Sequence, residues 1–166
     1  MIYFSLCAGC NEPGHVICPR CARALESAPS AAPTGVPRVH AAVTFEGVTR
    51  DVVLALKYGR RRAVARRLAL LLVARLPLAE IERVDVVTWA PTSGARARER
   101  GFDQAELLAR AVARRLGLPC RRLLHRAHGP HQTGRTREQR RQGPVFRARP
   151  LRRSEGVLIV DDVVTT

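Results

Sequence analysis

Residues 157–166 read VLIVDDVVTT. Four apolar residues run into two adjacent aspartates, then two valines and two threonines. A short continuous apolar run of this kind is the pattern of a strand buried on both faces in a parallel sheet. The aspartates then decide where the strand ends. Two like charges side by side are tolerable only at the mouth of a sheet, where they can hold something. In open α/β sheets that mouth, at the carboxyl ends of the strands, is where ligands bind. Ionised carboxylates accept hydrogen bonds and so suit sugar hydroxyls. A magnesium ion would suit them further. Thr165 and Thr166 would add hydroxyl and backbone N–H donors for a phosphate. Asp161, Asp162, Thr165 and Thr166 are thus candidates to grip a ribose and its 5′-phosphate. An exposed acidic turn is the plain alternative.

Working back from that strand, the body alternates. VHAAVTF (39–45) reads as a strand. The stretch 47–76 has helical spacing at Val52, Val53, Leu56, Val64, Leu68, Leu71 and Leu72, with Gly59 between two helices. VDVVTWAP (84–91) is a second apolar run, stopped by Pro91. DQAELLARAVARRLG (103–117) predicts an amphipathic helix, with Asp103 as N-cap, Glu106 completing a capping box and Gly117 as the stop. PCRRLLH (119–125) reads as another strand. The expected fold is α/β: a mostly parallel sheet flanked by helices.

The loop after the second apolar run, PTSGARARERGFDQ, carries Arg96, Arg98 and Arg100 between Gly94 and Gly101. Guanidinium forks match phosphate oxygens, and a following helix N-terminus adds to an anion cradle. A pyrophosphate is the expected guest; a solvated arginine-rich loop is the rival reading. The sequence 127–143, with His128 and His131, is expected to close over the site, to bind nucleic-acid phosphates, or to stay a solvated loop.

Four of the five cysteines fall in CAGCNEPGHVICPRC: Cys7, Cys10, Cys18 and Cys21. Two C-x-x-C knuckles can turn four sulfurs toward one ion, which is the pattern of a structural zinc site. A segment this short has no core of its own, so the metal would supply most of its folding free energy. Two disulfides or a redox pair are the alternatives, and His15 could replace one ligand. Cys120 stands alone and is expected to be a small buried apolar residue. The boundaries read as a zinc module over 1–25, an Ala/Pro/Ser-rich linker over 26–38 and an α/β domain over 39–166.

The chain has 166 residues, 29 basic against 14 acidic, for a net charge of +15. Only Lys57 is lysine. Such a charge favours a polyanionic partner. The longest apolar stretch is broken by Arg75 and Pro77, short of a membrane span, and the N-terminus lacks a signal-peptide pattern. A soluble, cytoplasmic protein is expected.

VLIVDDVVTT resembles the ribose-phosphate loop of type I phosphoribosyltransferases. ARARERGFDQAELLARAVARRLGLP, LALKYG, HQTGRTREQRRQG and the four-cysteine N-terminus resemble the ComF family, phosphoribosyltransferase-like proteins associated with competence. The resemblance covers almost the whole chain. It implies a type I phosphoribosyltransferase-like fold in which Asp161 and Asp162, as catalytic residues, hold the ribose of phosphoribosyl pyrophosphate with magnesium. Thr165 and Thr166 would begin the 5′-phosphate cradle, and Lys57, Arg96, Arg98 and Arg100 would hold the pyrophosphate. It also implies DNA uptake, with single-stranded DNA and other competence proteins as partners. A non-catalytic single-stranded DNA-binding protein is the alternative. Asp103 stands where the family more often has Asn, Arg135 where an apolar residue is typical, and Gln142 where Asn is common. The family continues past Thr-Thr into Gly-x-Thr, a helix and further strands. The chain therefore reads as C-terminally truncated, and as given it is expected to bind phosphoribosyl pyrophosphate poorly or not at all.

Overall fold

The computed structural model describes residues 5–27, 38–59, 61–127, 144–151 and 154–164. Its elements run α1 (Pro19–Ser27), α2 (Gly47–Lys57), α3 (Val64–Arg75), α4 (Leu78–Ile81), β1 (Val86–Trp89), α5 (Gly94–Arg100), α6 (Gln104–Leu116), β2 (Leu124–Arg126), β3 (Phe146–Ala148) and β4 (Val157–Val160). The protein is mixed α/β, with a small parallel sheet and helices.

The two apolar runs pair with each other. β1 and β4 are parallel neighbours in the register Val86↔Val157 to Trp89↔Val160. Val86, Val87, Thr88 and Trp89 are all buried, as an apolar run without alternation requires. Thr88 is the polar exception, and its hydroxyl accepts from the Leu123 N–H at 3.2 Å. A third segment touches β1 on its other side. Val87 N–H donates to Pro119 O, and Arg121 N–H donates to Val87 O, both at 3.0 Å. That forms a single parallel bridge, Val87↔Cys120, rather than a full strand over 119–125. The chain then leaves for a separate antiparallel ladder, β2–β3, centred on His125↔Arg147.

At the entry to β4 only glycine can stand. A Cβ on Gly156 would lie 1.7 Å from the Arg83 carbonyl oxygen. The close approach is tied from both sides: Gly156 N–H donates to Asp85 Oδ2 at 2.7 Å, and Gly156 O accepts from Asp85 N–H at 2.9 Å.

α6 packs on β1 and β4, and α3 packs on α6. Leu108, Ala109, Val112 and Ala113 of α6 are buried with Val64, Leu68 and Ala69 of α3. Alanines at the crossing let the two helices approach closely. α6 begins where the sequence places it. Asp103 Oδ1 accepts from Ala105 N–H at 3.0 Å and Glu106 N–H at 3.4 Å, and Gly117 closes the helix in the left-handed region at φ 70°. The reciprocal half of the capping box is replaced: the Glu106 carboxylate takes a fork from Arg110 at 2.9 and 2.7 Å.

Three expectations are corrected. Residues 39–45 form no strand; they bend, with Ala42 buried and Val43 half-buried as anchors, and turn into α2. The two central alanines offer little cross-strand packing. The stretch after β1 is not a loose loop, because Ser93 Oγ accepts from Arg96 N–H and starts α5, which Gly101 ends at φ 75°. The linker begins later than residue 26, since α1 runs through Ser27; the rest of it, 28–37, lies outside the described residues.

The cysteine module is not a separate bead. Ala8 and Leu25 belong to the same buried cluster as Val52, Leu56 and Leu68. Arg61 donates to Cys7 O at 2.6 Å and Asn11 Oδ1 at 2.8 Å, and Arg67 pairs with Glu26. The main core therefore helps to hold this segment, and a metal bound by the cysteines would share that task. Among the described residues no helix is long and apolar enough to cross a membrane.

Candidate functional site

Two sites emerge, one of sulfur and one of oxygen and nitrogen. In the first, Cys7, Cys10, Cys18 and Cys21 bring their sulfurs within 4.8 Å of one another. Zinc–sulfur bonds of about 2.3 Å in a tetrahedron put sulfurs about 3.8 Å apart; Cys10 Sγ and Cys18 Sγ are 3.7 Å apart. All five cysteines are free thiols, and the four sulfurs lie close enough together to bind a metal such as zinc. The knuckle geometry is local. Cys7 O accepts from Asn11 N–H at 2.9 Å, with Asn11 at φ 61°, where a short polar side chain is tolerated. Cys18 N–H points at Cys7 Sγ, at 3.2 Å. Burial pushes the Cys7 thiol up, but N–H groups of Cys18, Cys10 and Gly9 outweigh it and bring it down to about 6. Burial, and then the neighbouring sulfurs, push Cys21 up to about 12. A divalent cation is what lets all four be thiolates at once. His15 is exposed and outside the cluster. Gly9 is part of the cage: a Cβ there would meet Cys21 Sγ at 2.8 Å.

The second site lies at the carboxyl ends of β1 and β4. The ladder is closed by Ala90 N–H donating to Val160 O at 3.1 Å, so Asp161 leaves the sheet beside Pro91. Asp162 meets Lys57, the last residue of α2, with Nζ 3.1 Å from Oδ1 and both side chains largely buried. Asp161 Oδ1 accepts from the Asp162 N–H at 2.7 Å. Burial pushes the Asp161 carboxyl up to about 6; the Asp162 N–H and Lys57 oppose the rise, while the Asp162 and Asp103 carboxylates add to it. Solvent still reaches Asp161 at the rim, which moderates the shift, but burial first, and then the Asp162 and Asp103 carboxylates, set its direction.

The arginines share that corner. Asp103 ties α6 to the segment before α5 by accepting from Thr92 N–H at 2.9 Å. Burial raises the Asp103 carboxyl, against the N–H groups of Thr92, Glu106 and Ala105. Arg126 on β2 feels both Arg96 and Asp161. Arg126 is thus close enough to both Arg96 and Asp161 for each to act on its charge.

The predicted anion-binding residues divide. Arg96 and Arg98 are exposed on α5. Arg100 is engaged: it donates to Gln104 Oε1 at 2.9 Å and Tyr58 OH at 3.3 Å, with its guanidinium 4.8 Å from the Tyr58 ring centre. Lys57 is spent on Asp162. Thr165, Thr166, His128, His131, Arg135 and Gln142 lie outside the described residues. Cys120 is half-buried against the core, its thiol raised by burial. Tyr58 and Gln104 were given no role from the sequence although they lie inside the motifs LALKYG and GFDQ; Arg126 begins the run of five arginines, Arg126 to Arg141, read with the segment 127–143 as able to bind phosphates.

Compared with known proteins, the chain matches no protein-family model, no curated protein and no solved structure.

Proposed function

We propose that the protein is a ComF-type, phosphoribosyltransferase-like protein that binds phosphoribosyl pyrophosphate or a related ribose phosphate and carries a structural zinc in its N-terminal module. The observation that carries this reading is the parallel register Trp89↔Val160. What supports it is that β4, in parallel register with β1, runs into Asp161 and Asp162 at the same end from which the chain leaves β1 for α5. In this reading Asp161 and Asp162 accept hydrogen bonds from the ribose hydroxyls. Arg96 and Arg98 face the pyrophosphate, and Lys57 and Arg100 join them by exchanging their present partners. Magnesium bound with the diphosphate would supply charge neutralisation for the leaving group, with Asp161 and Asp162 the carboxylates near it. Catalysis would rest on positioning and charge stabilisation. The four sulfurs suit zinc by their spacing.

The test is calorimetric titration with magnesium and phosphoribosyl pyrophosphate. It compares the protein with its Asp161→Asn, Asp162→Asn double variant, in which the binding this reading proposes is expected to be lost. Binding that ignores this double change would overturn the reading. Single-stranded DNA binding that weakens steeply with salt, and also ignores it, would favour the DNA-binding alternative.

A further inference from the structure

The four clustered sulfurs are not equivalent. Cys7, Cys18 and Cys21 are buried, whereas Cys10 is the one of the four that solvent reaches. Its sulfur lies 3.7 Å from Cys18 Sγ. Arg20 stands between the two cysteines of the second knuckle and is exposed. Its side chain hydrogen-bonds to Cys10, with Glu12 and Cys21 also close enough to act on its charge. An accessible sulfur, a cation beside it and a second thiol within a short swing mark a cysteine that oxidises ahead of its neighbours. Cys120 lacks the second thiol: it lies outside the cluster.

We propose that Cys10 is a site of oxidation by hydrogen peroxide, with Cys18 as its resolving partner and Arg20 as the group that assists the attack. The proposal rests on the zinc reading of the four cysteines and is independent of the ribose-phosphate one. Cysteines that ligate a metal are thiolates, and the thiolate is the nucleophile. The Cys10 thiolate attacks one peroxide oxygen. The S–O bond forms, the O–O bond breaks, and the departing hydroxide takes a proton from solvent. Negative charge builds on that oxygen as it leaves, and the Arg20 guanidinium beside Cys10 stabilises it. The Cys18 thiolate then attacks the Cys10 sulfur. The S–S bond forms, the S–O bond breaks, and a second hydroxide leaves and is protonated. Two thiolates have given up two electrons, and one peroxide with two solvent protons has become two waters. Cys7 and Cys21 alone are then left as ligands, too few to close a four-sulfur site, so the ion is released.

The experiment treats the zinc-loaded protein with stoichiometric hydrogen peroxide. A chromogenic indicator follows zinc release. Differential alkylation before and after reduction, read by tandem mass spectrometry, identifies the oxidised cysteines. Zinc should leave as one disulfide forms between Cys10 and Cys18, with Cys120 recovered as a free thiol. Dithiothreitol followed by zinc should restore the starting state. Arg20→Gln lies on the surface and should keep the zinc content while slowing release by about threefold or more; Arg20→Lys should recover most of the rate. A protein that holds no zinc before treatment overturns the zinc reading and this proposal with it. A protein that starts loaded overturns this proposal alone if it keeps its zinc under peroxide. So does one that forms its disulfide within a knuckle, between Cys7 and Cys10 or between Cys18 and Cys21, or whose release rate ignores Arg20→Gln.

Discussion

Lys57 Nζ lies 3.1 Å from Asp162 Oδ1, with only 17% and 15% of the two side chains exposed. The one lysine in the chain thus holds down one of two adjacent acids at the end of β4. Without it, Asp161 and Asp162 would face each other with no compensating charge on α2. Lys57→Ala should destabilise the fold by about 3 kcal/mol, the usual cost of breaking a buried pair from one side. Adding Asp162→Asn should recover part of the loss. Urea unfolding of the single and double variants measures both, and a Lys57→Ala protein as stable as the parent would refute the role.

Asp161 gives a pH dependence whose sign is fixed. Its carboxyl is raised from 3.8 to about 6, so the folded state prefers the protonated form. The stability it contributes is fully present below pH 3.8 and is lost as pH rises through about 6. Asp161→Asn should therefore raise the melting temperature above pH 6 and change it little below pH 3.8. If the carboxylate also clasps ribose, affinity for phosphoribosyl pyrophosphate should climb over the interval in which stability falls. Melting curves and titrations across that range check the two trends independently.

Removing one thiol should empty the sulfur site. Cys18→Ser is expected to lose the metal, measured as zinc per chain, and to destabilise the fold by more than about 4 kcal/mol. Gly9→Ala is the finer probe. It keeps all four ligands but drives a methyl to 2.8 Å from Cys21 Sγ. Zinc affinity in a chelator competition should fall by roughly tenfold to a hundredfold.

Gly156→Ala should cost about 3 kcal/mol or prevent folding, because its Cβ would overlap the Arg83 carbonyl at 1.7 Å and neither backbone can retreat without breaking the Asp85 contacts. The expected signature is a lower denaturation midpoint with an unchanged slope.

Elements whose instructions are local were legible in the sequence. Asp103 and Gly117 bracket α6 because a cap needs only its own helix. The paired C-x-x-C spacing gave the cluster because four sulfurs within fifteen residues have few ways to avoid one another. The two apolar runs gave β1 and β4 but not that they pair directly, which depends on tertiary packing. The segment 39–45 misled because apolar alternation is shared by strands and by anchored bends. The arginine stretch misled because two glycines suggested slack, whereas Ser93 and Gly101 are the start and stop of α5. That Arg126 comes near Arg96 depends on tertiary packing, and the separation of those residues along the chain carries no local trace of it.

Arg61 reaches from the end of the α2 turn to the Cys7 carbonyl and the Asn11 side chain, four residues past Lys57 in the chain. One short span of backbone is thus fastened at one end to the sulfur knuckle and at the other to the acidic rim. Were the four sulfurs to hold a metal, its removal would be expected to slacken the first fastening and, through Arg61, to perturb charge placement at the second.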